Sequence, residues 1–393
     1  MRFGIFMAPF HPMAGQDPIS CIQRDLETVQ LLDRLGYDEV WVGEHHSAGT
    51  EIIPDPFMFI SYAAPQTRHI KLGTGVLSLP YHNPLLVTDR AFFCDQLLRG
   101  RFMLGLGPGA LPGDAAMLGI SIEEQRAALE EDTEVLMRLL KCEGPVSHET
   151  SRYKLVEAES QYRPYHDFDM AVAAIASPTG PRIAGQHGMG LLSIGATSVD
   201  GFDALGYHWD VVEERAKQYG QTADRNGWRL VGPMHLAETR EQAIEDVKFG
   251  LNDWCHYTQH ILAAPHFRAA GETFEERVAW VNETGLGVIG TPDDACEQIE
   301  RLEKQSNGGF GAYLMMDHEW ANPQAQARHY ELFARYVKPN FQGIAKGPLR
   351  GEERAISEHE ALGNRVEQAV QAATDAHFAN AETIDLAEET PAE

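Results

Sequence analysis

The sequence predicts an α/β protein built on a closed (β/α)₈ TIM barrel, with an insertion before the last strand. Eight short apolar or β-branched runs alternate with amphipathic segments, a pattern that gives parallel strands joined by helices, and eight such units suffice to close a barrel. Polar residues gather directly after these runs, where a barrel has its catalytic face. The runs are Arg2–Met7, Glu39–Gly43, Ile70–Leu79, Arg101–Leu106, Met170–Ala176, Leu191–Ala196, Leu230–Ala237 and Ala312–Met316.

The amphipathic segments carry ordinary helix start and stop signals. Asp17 and Pro18 begin a predicted helix over Ile19–Leu35, and Gly36 ends it. A doubly wound open sheet is the alternative fold, but it needs a GxGxxG motif after the first strand, and Gly105–Gly109 has the wrong spacing and place. The other predicted helices are Leu85–Leu98, Glu123–Leu140, Asp203–Tyr219, Arg240–His260, Pro292–Lys304 and Pro323–Val337.

Two segments depart from the alternating pattern. Ala263–Leu286 is an insertion with the aromatic residues Phe267, Phe274 and Trp280, and it is predicted to be either a lid or a packing excursion.

The second segment that departs from the pattern is the C-terminal one. We expect a barrel domain over residues 1–341 and an acidic extension over 342–393, in which Ala355–Ala373 forms a helix and residues from Asn380 are disordered.

The composition favours a water-soluble enzyme over a nucleic-acid or membrane-surface protein. Of 393 residues 43% are apolar, and 58 acidic against 32 basic side chains give a net charge of −26, which repels phosphate backbones and anionic lipid. No apolar run reaches the roughly 20 residues of a membrane span. The apolar part of MRFGIFMAPF is too short for a secretory signal, so we interpret it as a strand. Five widely spaced cysteines without a CxxC motif predict a reduced, cytoplasmic protein.

Polar clusters follow six of the predicted strands. We place the centre of the site at Glu44-His45-His46, because imidazole changes charge near neutral pH and His45 therefore suits proton transfer. The clusters are Pro9-Phe10-His11, Glu44-His45-His46, Tyr81-His82-Asn83, Gly107-Pro108-Gly109, Ser177-Pro178-Thr179-Gly180 and Asp317-His318-Glu319-Trp320.

A metal centre is not expected at this rim. Adjacent residues of an extended segment point to opposite sides, so His45 and His46 do not chelate one ion together, and a site would need distant partners such as His82 and His318. The segment Ser177–Arg182 opens a helix instead, and its hydroxyls, free N–H groups and helix dipole predict either an anion pocket or a simple helix cap.

Five segments appear in the same order as in bacterial luciferase-like flavin-dependent monooxygenases, which the chain resembles over residues 1–341. They are MRFGIFMAPF, LDRLGYDEVWVGEHH, IKLGTGVLSLPYHNP, LLRGRFMLGLGPG and ASPTGPRIAGQHG, followed by VIGTPDDACEQIERL and YVKP. The wording of HSAGTEIIPDP and SLPYHNP is most similar to members that oxidise limonene.

The resemblance implies a cofactor and a chemistry. Reduced FMN, or FAD in some terpene-oxidising relatives, is delivered by a separate NAD(P)H-dependent flavin reductase. Dioxygen adds to the flavin to give a C4a-hydroperoxide, which oxygenates a small apolar substrate. A homodimer is common in the family.

The resemblance also implies site residues. By position, His45 is the catalytic histidine, with Glu44 as its neighbouring carboxylate. The flavin would contact Gly75, Val76, Gly107, Ala176, Ser177, Thr179, Gly180 and Arg182. The family's Cys-Arg pair after the fourth strand is replaced here by Gly107 and Pro108, so another group, Arg182 or backbone N–H groups, is expected to hold the phosphate. The aromatic and imidazole residues expected at the substrate pocket are Phe10, Tyr81, His82, His318 and Trp320.

Several functions stay open at this point. The first is oxygenation of a monoterpene such as limonene, by 1,2-epoxidation. The alternatives are type II Baeyer–Villiger oxidation of a cyclic ketone, hydride transfer with the deazaflavin F420, and a non-catalytic flavin-binding protein.

Overall fold

Eight parallel strands close into a ring, which confirms the predicted (β/α)₈ barrel. In the computed structural model each strand pairs with the next along the chain, and β8 pairs with β1 through Arg2 and Ala312. The strands are β1 (Arg2–Met7), β2 (Glu39–Val42), β3 (Lys71–Thr74), β4 (Phe102–Gly107), β5 (Asp169–Ala174), β6 (Gly190–Ile194), β7 (Trp228–Leu236) and β8 (Ala312–Met316).

The structure describes residues 1–8, 10–12, 14–198, 204–262 and 268–388. The first residue of the predicted helix Asp203–Tyr219, the rim residue Pro9 and the insertion residue Phe267 lie outside the described residues.

Helices cover the predicted amphipathic segments, except that the predicted helix Arg240–His260 is divided into two. The helices Pro56–Ala63, Pro112–Met117, Phe274–Glu283 and Lys338–Gln342 were not predicted from the sequence. In chain order the helices are α1 (Pro18–Arg34), α2 (Pro56–Ala63), α3 (Pro84–Leu98), α4 (Pro112–Met117), α5 (Gln125–Lys141), α6 (Thr179–His187), α7 (Ala204–Tyr219), α8 (Arg240–Asp246), α9 (Leu251–His260), α10 (Phe274–Glu283), α11 (Pro292–Gln305), α12 (Pro323–Leu332), α13 (Lys338–Gln342) and α14 (Lys346–Glu388). Single 3₁₀ turns lie at Ala64–Gln66, Leu79–Tyr81, Arg225–Gly227 and Val247–Phe249, and a π-helical turn at Phe333–Val337.

The helix starts follow from local hydrogen bonding. The carboxylate of Asp17 accepts from the backbone N–H groups of Ile19 and Ser20 and begins α1 as predicted. Thr273 and Thr291 each form a reciprocal capping box, with Glu276 and Asp294, at the starts of α10 and α11. These bonds satisfy N–H groups that have no partner inside a helix.

Four short strand segments lie outside the eight barrel strands; Leu77–Ser78 falls within the predicted third run, and the other three were not predicted from the sequence. Leu77–Ser78 pairs with β4, and Val288–Gly290 pairs in parallel with the end of β7. Val146–Glu149 and Lys154–Ala158 form an antiparallel hairpin between α5 and β5. The predicted third run, Ile70–Leu79, is thus two separate segments.

The barrel interior holds a buried ion pair that involves three strands. Glu39 on β2 is fully buried and accepts from Arg229 Nε on β7 at 2.6 Å and from Arg2 on β1. The indole N–H of Trp41 also donates to Glu39, at 2.8 Å, and the Arg229 guanidinium lies 4.8 Å from the Trp41 ring centroid. Burial acts to raise the pKa of Glu39, but Arg229 and Arg2 outweigh it and lower the pKa to about 2.

The chain divides into two compact units, Met1–Phe341 and Gln342–Glu393. The second unit consists of α14, which continues to Glu388, well beyond the predicted helix Ala355–Ala373. Across the described ranges, no helix combines the length and apolar character that a bilayer crossing demands.

The Glu39 pair predicts a pH-dependent contribution to stability. Glu39→Gln should lower the free energy of unfolding near pH 7 by roughly 3–5 kcal/mol, because it removes the nearest counter-charge of the buried Arg229, whose other acidic partner, Asp169, lies 3.6 Å away. Because the folded-state pKa of Glu39 lies below the ordinary value of 4.5, its contribution is present above that pH and is lost as pH falls toward about 2. Urea unfolding of the two proteins between pH 7 and pH 3 should therefore give curves whose stability difference narrows on acidification.

The exposed pair Lys154–Glu149 supplies the control for this measurement. Glu149→Gln should cost less than about 1 kcal/mol at every pH. Equal losses in the two variants would contradict the role assigned to Glu39.

Candidate active site

A cavity of about 600 Å³ opens at the carboxyl ends of the barrel strands. Its volume lies within the roughly 300–1,000 Å³ typical of small-molecule sites. Apolar side chains form much of its wall: Phe6, Phe10, Val76, Leu129, Ile194, Trp254, Leu262 and Met316. Its polar lining residues include one group after β2 and another after β5, which lie three strands apart around the ring.

The floor of the cavity is formed by β3 over Trp41. The peptide bond between Gly75 and Val76 is cis, and both residues line the cavity. A Cβ at Gly75 would lie 2.6 Å from the backbone carbon of Trp41, and one at Gly105 would lie 2.2 Å from the carbonyl oxygen of Thr74. Only glycine fits at these two positions, so the strand ends approach Trp41 more closely than other residues would permit.

Glu44 is a buried carboxylate that accepts three hydrogen bonds. His82 Nε2 and His46 Nε2 lie 2.7 and 3.1 Å from its Oε1, and the Ser78 N–H donates to its Oε2 at 2.7 Å. Burial acts to raise the pKa of Glu44, but hydrogen bonds from His46 and His82 outweigh it and hold the pKa below its usual range. Glu44 is therefore ionised at neutral pH.

His45 lies between two further carboxylates. Its Nε2 is 3.2 Å from Glu51 Oε2, and its Nδ1 is 3.5 Å from Asp114 Oδ2. Burial disfavours the imidazolium, but the negative charges of Glu51 and Asp114 outweigh burial and raise the pKa of His45. His46 points the other way, to Glu44, as the alternation of an extended segment predicts.

The second polar group lies where α6 begins after β5. Ala176, Ser177, Thr179 and Gly180 line the cavity, and the Ser177 hydroxyl accepts from the Thr179 N–H at 3.2 Å. A Cβ at Gly180 would lie 2.3 Å from the carbonyl oxygen of Ala173, so glycine permits α6 to start this close to β5. Free N–H groups and the helix dipole favour an anion here.

Arg126, a residue that was not predicted from the sequence, is a cation in the lining of the same cavity. It lies on α5 and lines the cavity, and none of the described side chains forms an ion pair or hydrogen bond with it. The predicted cation, Arg182, is placed elsewhere: its guanidinium is bound to Glu130 at the surface and does not line the cavity. Arg126 lies among acidic residues in the sequence and Arg182 directly follows the polar segment after the fifth strand, so sequence position favoured Arg182.

Gly107 acts through packing and does not line the cavity. A Cβ at this position would lie 2.4 Å from Val76 Cγ2, so the glycine makes room for the Val76 side chain. Its neighbours Pro108 and Gly109 do line the cavity.

Of the five residues expected at the substrate pocket, Phe10 alone lines the cavity. Tyr81 accepts from Gln125 Nε2 at 2.9 Å, and His82 is bound to Glu44. His318 and Trp320 are buried and stack on each other with ring centroids 4.0 Å apart. None of these four side chains lines the cavity; His82 supports it through Glu44, and Trp320 supports its wall through Trp254.

Part of the cavity wall comes from α9, a helix that was not assigned to the site from the sequence. Trp254, Tyr257 and Thr258 line the cavity at spacings of three and four residues, so they lie on one face of the helix. Trp320 packs edge-on against Trp254, and Trp280 from the predicted insertion lies 6.4 Å from Trp254 between ring centroids. Trp280 thus packs behind the cavity wall.

A metal centre finds no support in the described part of the chain. Across those residues, no group of three or more His, Cys, Asp or Glu side chains is arranged to hold an ion.

A closed barrel with an apolar cavity, a histidine between carboxylates and an anion pocket at its catalytic face defines an enzyme that acts on a small molecule. Residues 1–306 match the family described as luciferase-like monooxygenase. The chain belongs to this family, and it is a monooxygenase.

Individual relatives agree with this assignment. Limonene 1,2-monooxygenase of Rhodococcus erythropolis is 44% identical over 376 residues, which are 96% of this chain and 95% of the relative. 4-Hydroxyprotoasukamycin monooxygenase of Streptomyces nodosus subsp. asukaensis is 39% identical over 354 residues, 88% of this chain and 94% of the relative.

A solved structure agrees in fold. The oxygenating constituent of 3,6-diketocamphane monooxygenase from Pseudomonas putida, a type II Baeyer–Villiger monooxygenase in complex with FMN, superposes with a TM-score of 0.71. It is 22% identical and covers 86% of this chain and 98% of its own, so the likeness concerns the fold.

The contact between Gly75 and Trp41 gives a prediction about the cavity floor. Gly75→Ala should lower the free energy of unfolding by roughly 1–3 kcal/mol, because its methyl group overlaps the Trp41 backbone. Gly206→Ala is the control, since a Cβ there would lie 3.6 Å from its nearest neighbour, in ordinary contact. Urea unfolding should separate the two variants, and a Gly75→Ala protein as stable as the control would refute the close approach.

Proposed function

We propose that this protein is a reduced-FMN-dependent monooxygenase that epoxidises a small apolar alkene, with a monoterpene such as limonene as the best candidate. The observation that carries the proposal is His45, which two carboxylates hold as a proton donor at an apolar cavity. The 44% identity to limonene 1,2-monooxygenase supports the choice of substrate class.

The residues around the cavity fit a flavin mononucleotide. Gly75 and Val76 offer a flat floor without an intervening Cβ at Gly75, and Ser177, Thr179 and Arg126 offer donors and a positive charge for a phosphate. When bound, reduced FMN supplies two electrons with which dioxygen is activated, so that one oxygen atom enters the substrate and the other leaves as water. FAD is the alternative flavin.

The protonation of His45 influences whether an electrophilic or a nucleophilic oxygen transfer is favoured. An alkene is oxidised by an electrophilic oxygen, which a proton donor favours, whereas a ketone in a Baeyer–Villiger reaction requires a nucleophilic oxygen, which a proton acceptor favours. Because Glu51 and Asp114 raise the pKa of His45, its ring keeps its proton to higher pH than an unperturbed histidine does, which suits it to donate that proton. The geometry therefore favours epoxidation of an alkene over oxidation of a cyclic ketone.

The apolar wall serves the same chemistry by excluding water. Activated oxygen is lost as peroxide when water and protons reach it freely, so a productive site has to be dry. Phe10, Trp254 and Leu262 cover the cavity with apolar surface, which also suits a hydrocarbon substrate.

The proposed function requires a partner enzyme that supplies reduced flavin. Reduced FMN is supplied by a separate NAD(P)H-dependent flavin reductase and acts as a diffusing cosubstrate, and we predict a homodimer.

The anion pocket predicts selectivity for flavin phosphate. Arg126→Ala should weaken binding of reduced FMN by roughly tenfold or more, since it removes a charge-assisted contact worth about 1.5–3 kcal/mol, and should leave binding of reduced riboflavin unchanged. Anaerobic fluorescence titration measures both affinities. Arg182→Ala, which loses only the surface contact to Glu130, is the matched control. Equal effects of the two substitutions on FMN binding would place the phosphate elsewhere.

The role of His45 is tested together with the substrate. The wild-type protein, given reduced FMN, oxygen and a panel of monoterpenes and cyclic ketones, should yield an epoxide that mass spectrometry identifies. His45→Ala should keep the fold and lose roughly 100-fold or more of product formation, the contribution typical of a general acid. Near wild-type product formation by this variant would remove the assigned role.

The same assay separates the alternative functions. Lactones from ketones would support Baeyer–Villiger oxidation, and hydride transfer with reduced F420 and no oxygen uptake would support an F420 enzyme. Flavin binding without product from any substrate would support a non-catalytic flavin-binding protein.

A further inference from the structure

Glu51 connects the wall of the cavity to His45. It lies in the segment between β2 and α2, is buried, and forms a backbone bridge with Phe10. Its Oε2 accepts a hydrogen bond from the Tyr257 hydroxyl at 2.8 Å and lies 3.2 Å from His45 Nε2. One carboxylate oxygen therefore meets both the phenol of α9 and the imidazole of the candidate active site.

Tyr257 is fixed on its other side. Its ring packs on Phe10 with centroids 5.3 Å apart, and both rings line the cavity. Burial, and then the negative charge of Glu51, raise the pKa of Tyr257, so the phenol keeps its proton and acts as a donor. The Tyr257 hydroxyl thus holds the Glu51 carboxylate in place.

The two carboxylates that flank His45 are not equivalent. Asp114 Oδ1 already accepts from the Ser47 hydroxyl at 2.5 Å and from the His46 N–H at 3.1 Å, and its Oδ2 is 3.5 Å from His45 Nδ1. That Nδ1 is buried and has no hydrogen-bond partner among the described residues. The Glu51 carboxylate lies closer to the His45 ring than Asp114 does, and it faces the other ring nitrogen, Nε2. The remaining charged neighbours of His45 are Glu44, which favours its protonation, and His46 beyond Glu44.

We propose that Glu51, held by the Tyr257 hydroxyl, is a positioning residue that keeps His45 protonated and oriented for proton donation during oxygen transfer. The proposal rests on the function proposed above, in which His45 is the proton donor. Glu51 acts through His45 and does not itself react. Tyr257 lies on α9, which forms part of the cavity wall. Its hydrogen bond to Glu51 therefore links that wall to the carboxylate beside His45.

The first test measures His45 without turnover. Histidine-selective ¹⁵N NMR, with the His45 signal assigned from its absence in His45→Ala, gives the His45 pKa in the wild-type and Glu51→Gln proteins. Loss of the Glu51 charge should lower that pKa by about one unit or more, the size of shift that an adjacent carboxylate causes. An unchanged His45 pKa in folded Glu51→Gln would overturn the proposal. Glu149→Gln, with the same chemical change at an exposed site, should leave the His45 titration as in the wild-type protein.

The second test uses turnover. Activity that requires protonated His45 declines as pH rises through its pKa, so in Glu51→Gln this decline should move to lower pH by the shift that NMR measures. In Glu51→Gln the KM should change less than kcat, because Glu51 affects proton donation by His45 more than it affects substrate binding. A kcat profile that does not move while the NMR pKa falls would show that the proton of His45 is not used.

Tyr257→Phe tests the tether separately and covers the case in which Glu51→Gln does not fold. The Glu51 charge remains in this variant, so the His45 pKa should stay raised, while kcat should fall several-fold because the carboxylate is no longer held. Unchanged kcat would refute the tether. If the NMR shifts appear as expected but no substrate in the panel is oxygenated, the link between Glu51 and His45 stands and the proposed function fails.

Discussion

The barrel interior is organised around one aromatic ring. Trp41 is fully buried, with its indole N–H bound to Glu39 and the guanidinium of Arg229 over its face. This arrangement allows a charged pair to exist in the core, because each charge has a partner and further hydrogen bonds. The fixed ring in turn requires β3 and β4 to pass close to it, which is possible only at Gly73, Gly75 and Gly105. The flat floor of the cavity follows from that constraint.

The floor sets the distance between the two polar parts of the site. Strands β2 and β5 lie three positions apart in the ring, so the carboxylates of Glu44 and Glu51 lie on a different part of the rim from the start of α6. This separation matters because a phosphate beside these two carboxylates would be strongly repelled. An acidic protein with a net charge of −26 can thus offer a local anion site, since Arg126 and the N–H groups of α6 act at short range.

The sequence predicted those features that depend on local pattern. All eight strands were confirmed, because each is a short apolar run between helices, and the start of α1 was confirmed because Asp17 caps it through residues two and three positions on. Partnerships between distant residues were not predictable. Arg182 has the charge that a phosphate needs, yet its choice of Glu130 depends on how α5 and α6 pack. Trp320 follows the last strand, a position that favours a pocket residue, but Trp254 packs against it and lines the cavity in its place.

The protonation of His45 shows how such distant partnerships decide chemistry. In isolation a buried imidazole is neutral, since burial lowers its pKa, as it does for His318, whose pKa falls to about 3. His45 is also buried, but Glu51 arrives from the following loop and Asp114 from α4, and their charges reverse the effect. Two histidines on the same rim therefore have pKa values shifted in opposite directions. Under the proposed function, in which His45 donates a proton, the packing of a loop and a short helix thus influences the kind of oxygen transfer that the site favours.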